Sequence, residues 1–189
     1  MKLYDKDITF IAEVKTKSPF GFKSEYSFDY LLTLANFYGD WISIHIDERW
    51  GGSFDLLKQA RKGTHNIILA KGIHESDDLV QKSFDSGADY VLVVGRIPDK
   101  KYLENCLIEP LSLEQLLDWN LKDIPKLVWN KRNLKDGRLS KEDIPHIHSL
   151  YNGWLCQASG IKNINDINEK IDAFIVGENL VEFVGTLKT

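Results

Sequence analysis

Short apolar runs of four to seven residues alternate with longer amphipathic stretches from one end of the chain to the other. The apolar runs are Thr9–Lys15, Trp41–Asp47, Ile67–Lys71, Asp89–Gly95, Cys106–Glu109, Lys126–Asn130, Gly153–Ser159 and Ala173–Gly177. Most are rich in Ile, Val, Leu or aromatics, as strands covered on both faces must be. The stretches between them carry helical periodicity. Phe28, Leu31, Leu32, Ala35 and Phe37 form one stripe behind Ser27, which has the chemistry of an N-cap. Similar stripes run through Phe54, Leu57 and Ala60, and through Leu79, Val80 and Ser83–Phe84. Gly39, Gly63 and Gly87 recur 24 residues apart, and Gly153 follows later, each between a helix and the next strand. The left-handed residue that ends a helix is expected there.

Strand and helix in strict alternation require a parallel sheet with right-handed crossovers. Eight such units predict one α/β domain over residues 1–189, a single compact (βα)8 TIM barrel. The chain is shorter than the usual barrel of ~200 to 400 residues, so its helices must be short. The fourth is squeezed into Pro98–Asn105. No Gly-x-Gly-x-x-Gly follows the first strand, which argues against an open dinucleotide-binding sheet.

In parallel barrels the chemistry sits at the carboxyl ends of the strands. Those ends supply Glu13, Lys15, Asp47, Lys71, Arg96, Glu109, Asn130, Ser159 and Gly177. Alternation places Ile11, Glu13 and Lys15 on one face of the first strand, with Phe10, Ala12 and Val14 on the other. Leu69 shares a face with Lys71, Leu107 with Glu109, and Val128 with Asn130, so each inward face is apolar below and polar at its last residue. Two lysines, two glutamates and an asparagine at one mouth suit proton transfer on an anionic substrate. Ser159-Gly160 and Gly177-Glu178 close the last two strands, where this fold often holds phosphate through backbone N–H groups. No basic cluster adjoins them in sequence, so backbone donors are expected to do this alone.

Composition narrows the partners. The 189 residues are 43% hydrophobic and 28% charged, with a formal net charge of −4, which gives no reason to expect nucleic acid. Cys106 and Cys156 are too few for a disulfide framework and are read as small buried residues. His45, His65, His74, His146 and His148 show no metal-ligand spacing and are read as surface or structural, so no metal is expected. Met1 to Thr9 lacks a signal-peptide core and no run approaches a membrane span, which points to a cytoplasmic monomer without a membrane partner.

The motifs also resemble a family. Ile11-Ala12-Glu13-Val14-Lys15-Thr16-Lys17-Ser18-Pro19 resembles the first strand and loop of indole-3-glycerol-phosphate synthases, and Asp47-Glu48-Arg49-Trp50-Gly51-Gly52-Ser53 the stretch after their second strand. Ile68-Leu69-Ala70-Lys71 is similar to their third strand, Leu107-Ile108-Glu109 to the fifth, and Asn130-Lys131-Arg132-Asn133-Leu134 to the sixth with its loop. Ser159-Gly160-Ile161 and Phe174-Ile175-Val176-Gly177-Glu178 resemble the ends of the seventh and eighth. The matches run in family order from about Phe10 to Leu180; the family's N-terminal helical extension has no counterpart.

The resemblance implies a cofactor-free lyase of tryptophan biosynthesis. It closes the indole ring of 1-(2-carboxyphenylamino)-1-deoxyribulose 5-phosphate with loss of carbon dioxide and water. Lys71 matches the lysine that polarises the ketone, Glu109 the acid/base of the dehydration, and Lys15 the lysine near the substrate carboxylate. Glu13 and Asn130 match residues that orient these groups. Ser18 and Arg132 lie in matched loops, and Ser159, Gly160, Gly177 and Glu178 match phosphate-binding turns. There are departures. The glutamate expected before Ser159 is Ala158, while Gln157 points to the other face; Ala70 and Gly72 flank Lys71; Ile73 and Asn179 replace the usual Phe and Ser; and Phe20-Gly21 follows Ser18-Pro19. Loss of the carboxylate at Ala158 is expected to lower a neighbouring lysine's pKa relative to a synthase that retains it, to leave a polar pocket, and to weaken an enzyme whose turnover Ala158→Glu would raise if that carboxylate limits the site. The alternative is a weakened or re-purposed barrel that binds a phosphorylated metabolite. A phosphoribosylanthranilate-type isomerase would want an acid/base pair at strands one and seven, which Glu13 and Ala158 do not supply.

Overall fold

The computed structural model describes residues 2–3, 6–139 and 141–187, the side chains from residue 6 onward. Eight parallel strands close into a barrel: β1 (Thr9–Val14), β2 (Trp41–His45), β3 (Ile67–Lys71), β4 (Tyr90–Val94), β5 (Cys106–Glu109), β6 (Lys126–Asn130), β7 (Trp154–Ala158) and β8 (Ala173–Val176). Each pairs with its sequence neighbours, and β8 pairs with β1 in the register Ile175 to Ile11. The single TIM barrel predicted from the alternation is the fold. A two-residue antiparallel ladder, Lys2–Leu3 with Lys6–Asp7, precedes it.

The outer layer is α1 (Phe28–Tyr38), α2 (Phe54–Gly63), α3 (Asp77–Asp85), α4 (Leu113–Asp118), α5 (Ile144–Leu150) and α6 (Leu180–Thr186). Two of the seven crossovers carry no α-helix. Lys100–Asn105 and Ile164–Asp166 form 3-10 turns after β4 and β7, which is how so short a chain completes the ring. Ser27, Ser53, Ser76 and Ser112 cap α1 to α4, each hydroxyl accepting from the N–H three residues on. Of the four glycines expected to be left-handed, only Gly87 is, at φ 104°. Gly39 is extended, and it is glycine because a Cβ there would strike Ala12 and the carbonyls of Ala35 and Trp41. Gly63 is the last residue of α2, and Gly153 is absent from the residues with positive φ.

The two faces of the strands separate into two cores, as alternation requires. Phe10, Ala12 and Val14 pack outward with Ile42, Ile44, Ile68, Val91, Val93 and the helices. Phe10 stacks on Phe174 at 5.0 Å, and Phe183 of α6 tilts against both. Inside the barrel Ile11, Leu69, Leu92, Leu107, Val128, Cys156, Ala173 and Ile175 fill the middle. Below them Trp41 stacks between Tyr90 at 4.5 Å and Trp154 at 5.9 Å and plugs the amino end. Among the described residues the open cavity of the barrel lies at the carboxyl ends of the strands.

An acid just before three of the strands fixes register at the amino end. Asp40, Asp89 and Asp172 each accept a hydrogen bond from a backbone N–H of a neighbouring strand, that of Phe10, Ile68 and Leu155, at 2.7 to 2.9 Å. Each returns its own N–H to the carbonyl of the same residue. A one-residue slip of these strands would break both bonds and turn the inner face outward.

Candidate active site

The inward-facing last residues of the strands form a cavity of about 730 Å³, open at the carboxyl face. Glu13, Lys15, Lys71, Glu109, Asn130, Arg132, Ser159, Gly160, Gly177 and Glu178 all line it. The sequence placed these ten there, and the structure brings them together. Apolar walls come from Phe20, Trp50, Ile73, Leu92, Val94, Leu134, Ile161 and Ile175.

Two hydrogen-bonded arrays divide the polar wall. In the first, Glu13 Oε1 lies 2.9 Å from Lys71 Nζ and 2.5 Å from His45 Nε2. His45 and Lys71 are Cα partners across β2 and β3, so the ladder itself sets both groups against Glu13. Burial disfavours the Glu13 anion, but Lys71, His45 and Lys15 together outweigh it and hold the carboxyl well below its usual range. Burial likewise opposes the Lys71 cation. Glu13 and then Glu109 overcome that, so Lys71 stays charged above its ordinary range.

In the second array Asn130 donates to Glu109 Oε1 at 2.9 Å, while its own oxygen accepts from Ser159 Oγ at 2.7 Å and from the Arg132 N–H at 3.0 Å. The backbone donor at Arg132 fixes which way the amide points. Burial dominates Glu109 and pushes its pKa up, against the weaker pull of Lys71, Asn130 and Lys141. Two carboxyls in one mouth are thus driven apart, Glu13 as a fixed anion and Glu109 as a group able to hold a proton. That split is how one site assigns charge anchor and acid.

Between the last two strands Glu178 bridges Lys15 Nζ at 2.8 Å and an Arg132 Nη at 3.1 Å. Two cations, one from just beyond β1 and one from the β6 connection, therefore converge beside the Gly177–Glu178 turn. Ser159 is left-handed at φ 67° and Gly160 at φ 78°. A non-glycine residue in that region costs about 1–2 kcal/mol, and the Ser159 hydroxyl bond to Asn130 helps to hold it. Gly177 has no room for a side chain, because a Cβ would overlap Glu13 Oε2.

Several expectations need correction. Asp47 and Arg96 do not reach the mouth: Asp47 turns back onto Arg49, and Arg96 binds Asp77 at 2.7 Å and the His74 carbonyl. Ser18 is buried in the β1 connection and accepts from the N–H groups of Phe20 and Phe22; it shapes the loop that places Phe20 on the cavity wall. Ala158 is buried in the apolar barrel interior beside Ile175 and does not line the cavity, so the expected polar pocket is not there. Gln157 does face outward, where it pins the Ile164–Asp166 turn through Asp166 and Asn168. Gly72 is explained by Ile46, whose Cγ1 would lie 2.8 Å from any Cβ there.

The sequence reading missed His45, which is buried in the mouth and stacked parallel on Trp50 at 5.8 Å. The signal was present: Trp41, Ser43 and His45 have the inward phase of β2. Among the described residues no three His, Cys, Asp or Glu side chains gather as a metal site, and no helix is long and apolar enough to cross a membrane.

Comparison with known proteins agrees with this geometry. The family model described as indole-3-glycerol phosphate synthase matches residues 1–186. The tryptophan biosynthesis protein TrpCF of Vibrio parahaemolyticus is 29% identical over 94% of this chain, which spans 41% of that longer protein. The indole-3-glycerol phosphate synthases of Picrophilus torridus and Petrotoga mobilis are 26% and 27% identical over 98% and 93% of the chain, which covers 80% and 79% of their lengths. With a family model that spans nearly all its residues, the chain belongs to the indole-3-glycerol phosphate synthase family.

Proposed function

We propose that this chain is a working indole-3-glycerol phosphate synthase, a carboxy-lyase that closes the indole ring of 1-(2-carboxyphenylamino)-1-deoxyribulose 5-phosphate. The observation that carries the reading is the arrangement of the mouth, where Glu13 holds Lys71 at 2.9 Å and Asn130 holds Glu109 at 2.9 Å around one cavity. Lys71 donates a proton to the ketone oxygen as the ring carbon that bears the carboxylate attacks the carbonyl carbon. The bond to the carboxylate then breaks, carbon dioxide leaves, and its electron pair restores the aromatic ring. Glu109 protonates the new hydroxyl, which departs as water, and the Glu109 carboxylate so formed takes a proton from the adjacent carbon to complete the indole. Asn130 keeps the Glu109 carboxyl turned toward the cavity, and Glu13 keeps Lys71 charged.

Lys15 and Arg132 supply positive charge for the substrate carboxylate and phosphate, and the turns at Ser159–Gly160 and Gly177–Glu178 offer backbone donors to the phosphate. Lys15, Lys71 and Arg132 bring three cationic side chains to the mouth for an anionic substrate. The reaction needs no cofactor, because its proton transfers are met by side chains. The same reading takes residues 1–189 as one domain, a cytoplasmic monomer that acts on a small phosphorylated substrate without nucleic-acid or membrane partners. The termini of that range, Met1, Lys188 and Thr189, lie outside the described residues.

The test is steady-state turnover of the purified chain, followed by the rise in indole fluorescence. Saturable product formation that Lys71→Met reduces by ~10²-fold or more is the expected result. A folded protein that binds the substrate without turnover would favour the re-purposed barrel instead.

A further inference from the structure

The end of β2 contributes a group that the reaction above does not use. His45 is buried, and its Nε2 lies 2.5 Å from the Glu13 oxygen that also holds Lys71. The ring has little freedom. Trp50 stacks on one face within 5° of parallel, and Gly52 presses so closely on the backbone and Cβ of His45 that a side chain there would collide. Ser53 N–H clamps the His45 carbonyl at 3.1 Å. Nδ1 is buried with no hydrogen-bond partner among the described residues. A proton on Nδ1 would be a donor without an acceptor, whereas a proton on Nε2 meets a carboxylate. The tautomer with Nε2–H is therefore the one this site favours.

We propose that His45 is a positioning residue of the ring-closure site, whose Nε2–H fixes the Glu13 carboxylate so that its Oε1 holds Lys71 at the ketone. The proposal rests on the function assigned above. Around the imidazole stand Glu13 and Lys15 from β1, Lys71 from β3 and Asp47 on its own connection. Burial leads the balance and the two lysines add to it; Glu13 opposes, and His45 remains neutral below its ordinary pKa. In acid the imidazolium takes Glu13 as a full ion pair and competes with Lys71 for the shared oxygen. Turnover then falls on the acid side without any loss of substrate contacts, so kcat moves and KM does not.

The experiment compares His45→Phe, which keeps a flat ring against Trp50 but no nitrogen, with His45→Gln, which returns an amide N–H near the Nε2 position. Thermal melts check that both fold. His45→Phe is expected to lower kcat by about tenfold or more with KM within about twofold. His45→Gln is expected to recover most of that loss and to lack the acid limb of the wild-type kcat profile. Wild-type kcat and pH profile in His45→Phe, or a Gln variant no better than Phe, would overturn the proposal. Nitrogen-15 NMR of the wild-type imidazole reads the same point without turnover: a neutral Nε2–H ring at pH 7 supports it, and an Nδ1–H ring overturns it. An inactive wild type with an Nε2–H ring would sink the assigned reaction while the His45–Glu13 geometry stands.

Discussion

Replacing Glu13 by Gln tests the electrostatics of the mouth with little change of shape. The wild-type carboxylate is buried, touches Lys71 at 2.9 Å, and is the largest influence keeping that lysine charged against its own burial. Breaking one side of a buried ion pair costs about 3–5 kcal/mol. A loss of that size should bring the Lys71 pKa in Glu13→Gln down from above its ordinary value to below it, because burial is then opposed by Glu109 alone. The lysine then titrates at lower pH than in the wild type. The assay is kcat against pH from 6 to 10 by indole fluorescence. The variant should show an alkaline limb that the wild type lacks in that interval, with its residual activity highest at the acid end. A variant whose profile matches the wild type, at a similar kcat, would refute the claim that Glu13 sets the charge on Lys71.

Other outcomes follow from the same geometry. Both site lysines already have carboxylate partners, Lys71 in Glu13 and Lys15 in Glu178, so Ala158→Glu should lower the melting temperature and leave turnover no higher; a tenfold gain in kcat would show that the missing carboxylate limits the site. Gly177→Ala should cut kcat by ~10-fold or more by displacing Glu13 from Lys71, with the barrel intact by circular dichroism; unchanged kinetics would show that Glu13 can give way freely. His74 is buried, donates from Nδ1 to the Leu92 carbonyl and accepts from Ser83, and burial lowers its pKa to about 4. Its unfolded form protonates first, so the stability it lends is complete above pH 6.5 and is lost as pH falls toward 4. Urea unfolding of the wild type should therefore lose ~2–3 kcal/mol more between pH 7 and pH 4.5 than His74→Gln does; equal losses would contradict the assignment.

The barrel was legible because every strand repeats one physical rule. Phe10, Ala12 and Val14 had to face helices if Ile11 and Glu13 faced inward, and the two cores divide along that line. The ends of the strands were harder to read. Asp47 has the same parity as His45, but β2 stops at His45, and the chain turns away before Asp47 can point into the mouth. Arg96 lies beyond the end of β4, past Gly95 at φ 73°, and its side chain runs sideways to α3. Register and inward phase carry over from sequence to structure; a loop's first residues do not inherit them. The cluster of Lys15, Arg132 and Glu178 was invisible for another reason, since its members lie up to 163 residues apart and meet only when β8 closes on β1. Ala158 misled because its inward parity did not bring it to the cavity: it is buried among the apolar residues of the barrel interior.

Rapid-mixing single turnover with substrate labelled in its carboxylate tests the central claim most directly, because it times carbon dioxide against indole in one reaction. In the wild type the two products should appear in equal amounts, with no accumulated gap between them. Lys71→Met should suppress both together, since ring closure precedes either. Glu109→Gln should release carbon dioxide well ahead of indole, since its proton is needed only for the departing hydroxyl. Carbon dioxide and indole falling in step in Glu109→Gln, or both appearing at wild-type rates in Lys71→Met, would contradict the roles that this mouth assigns.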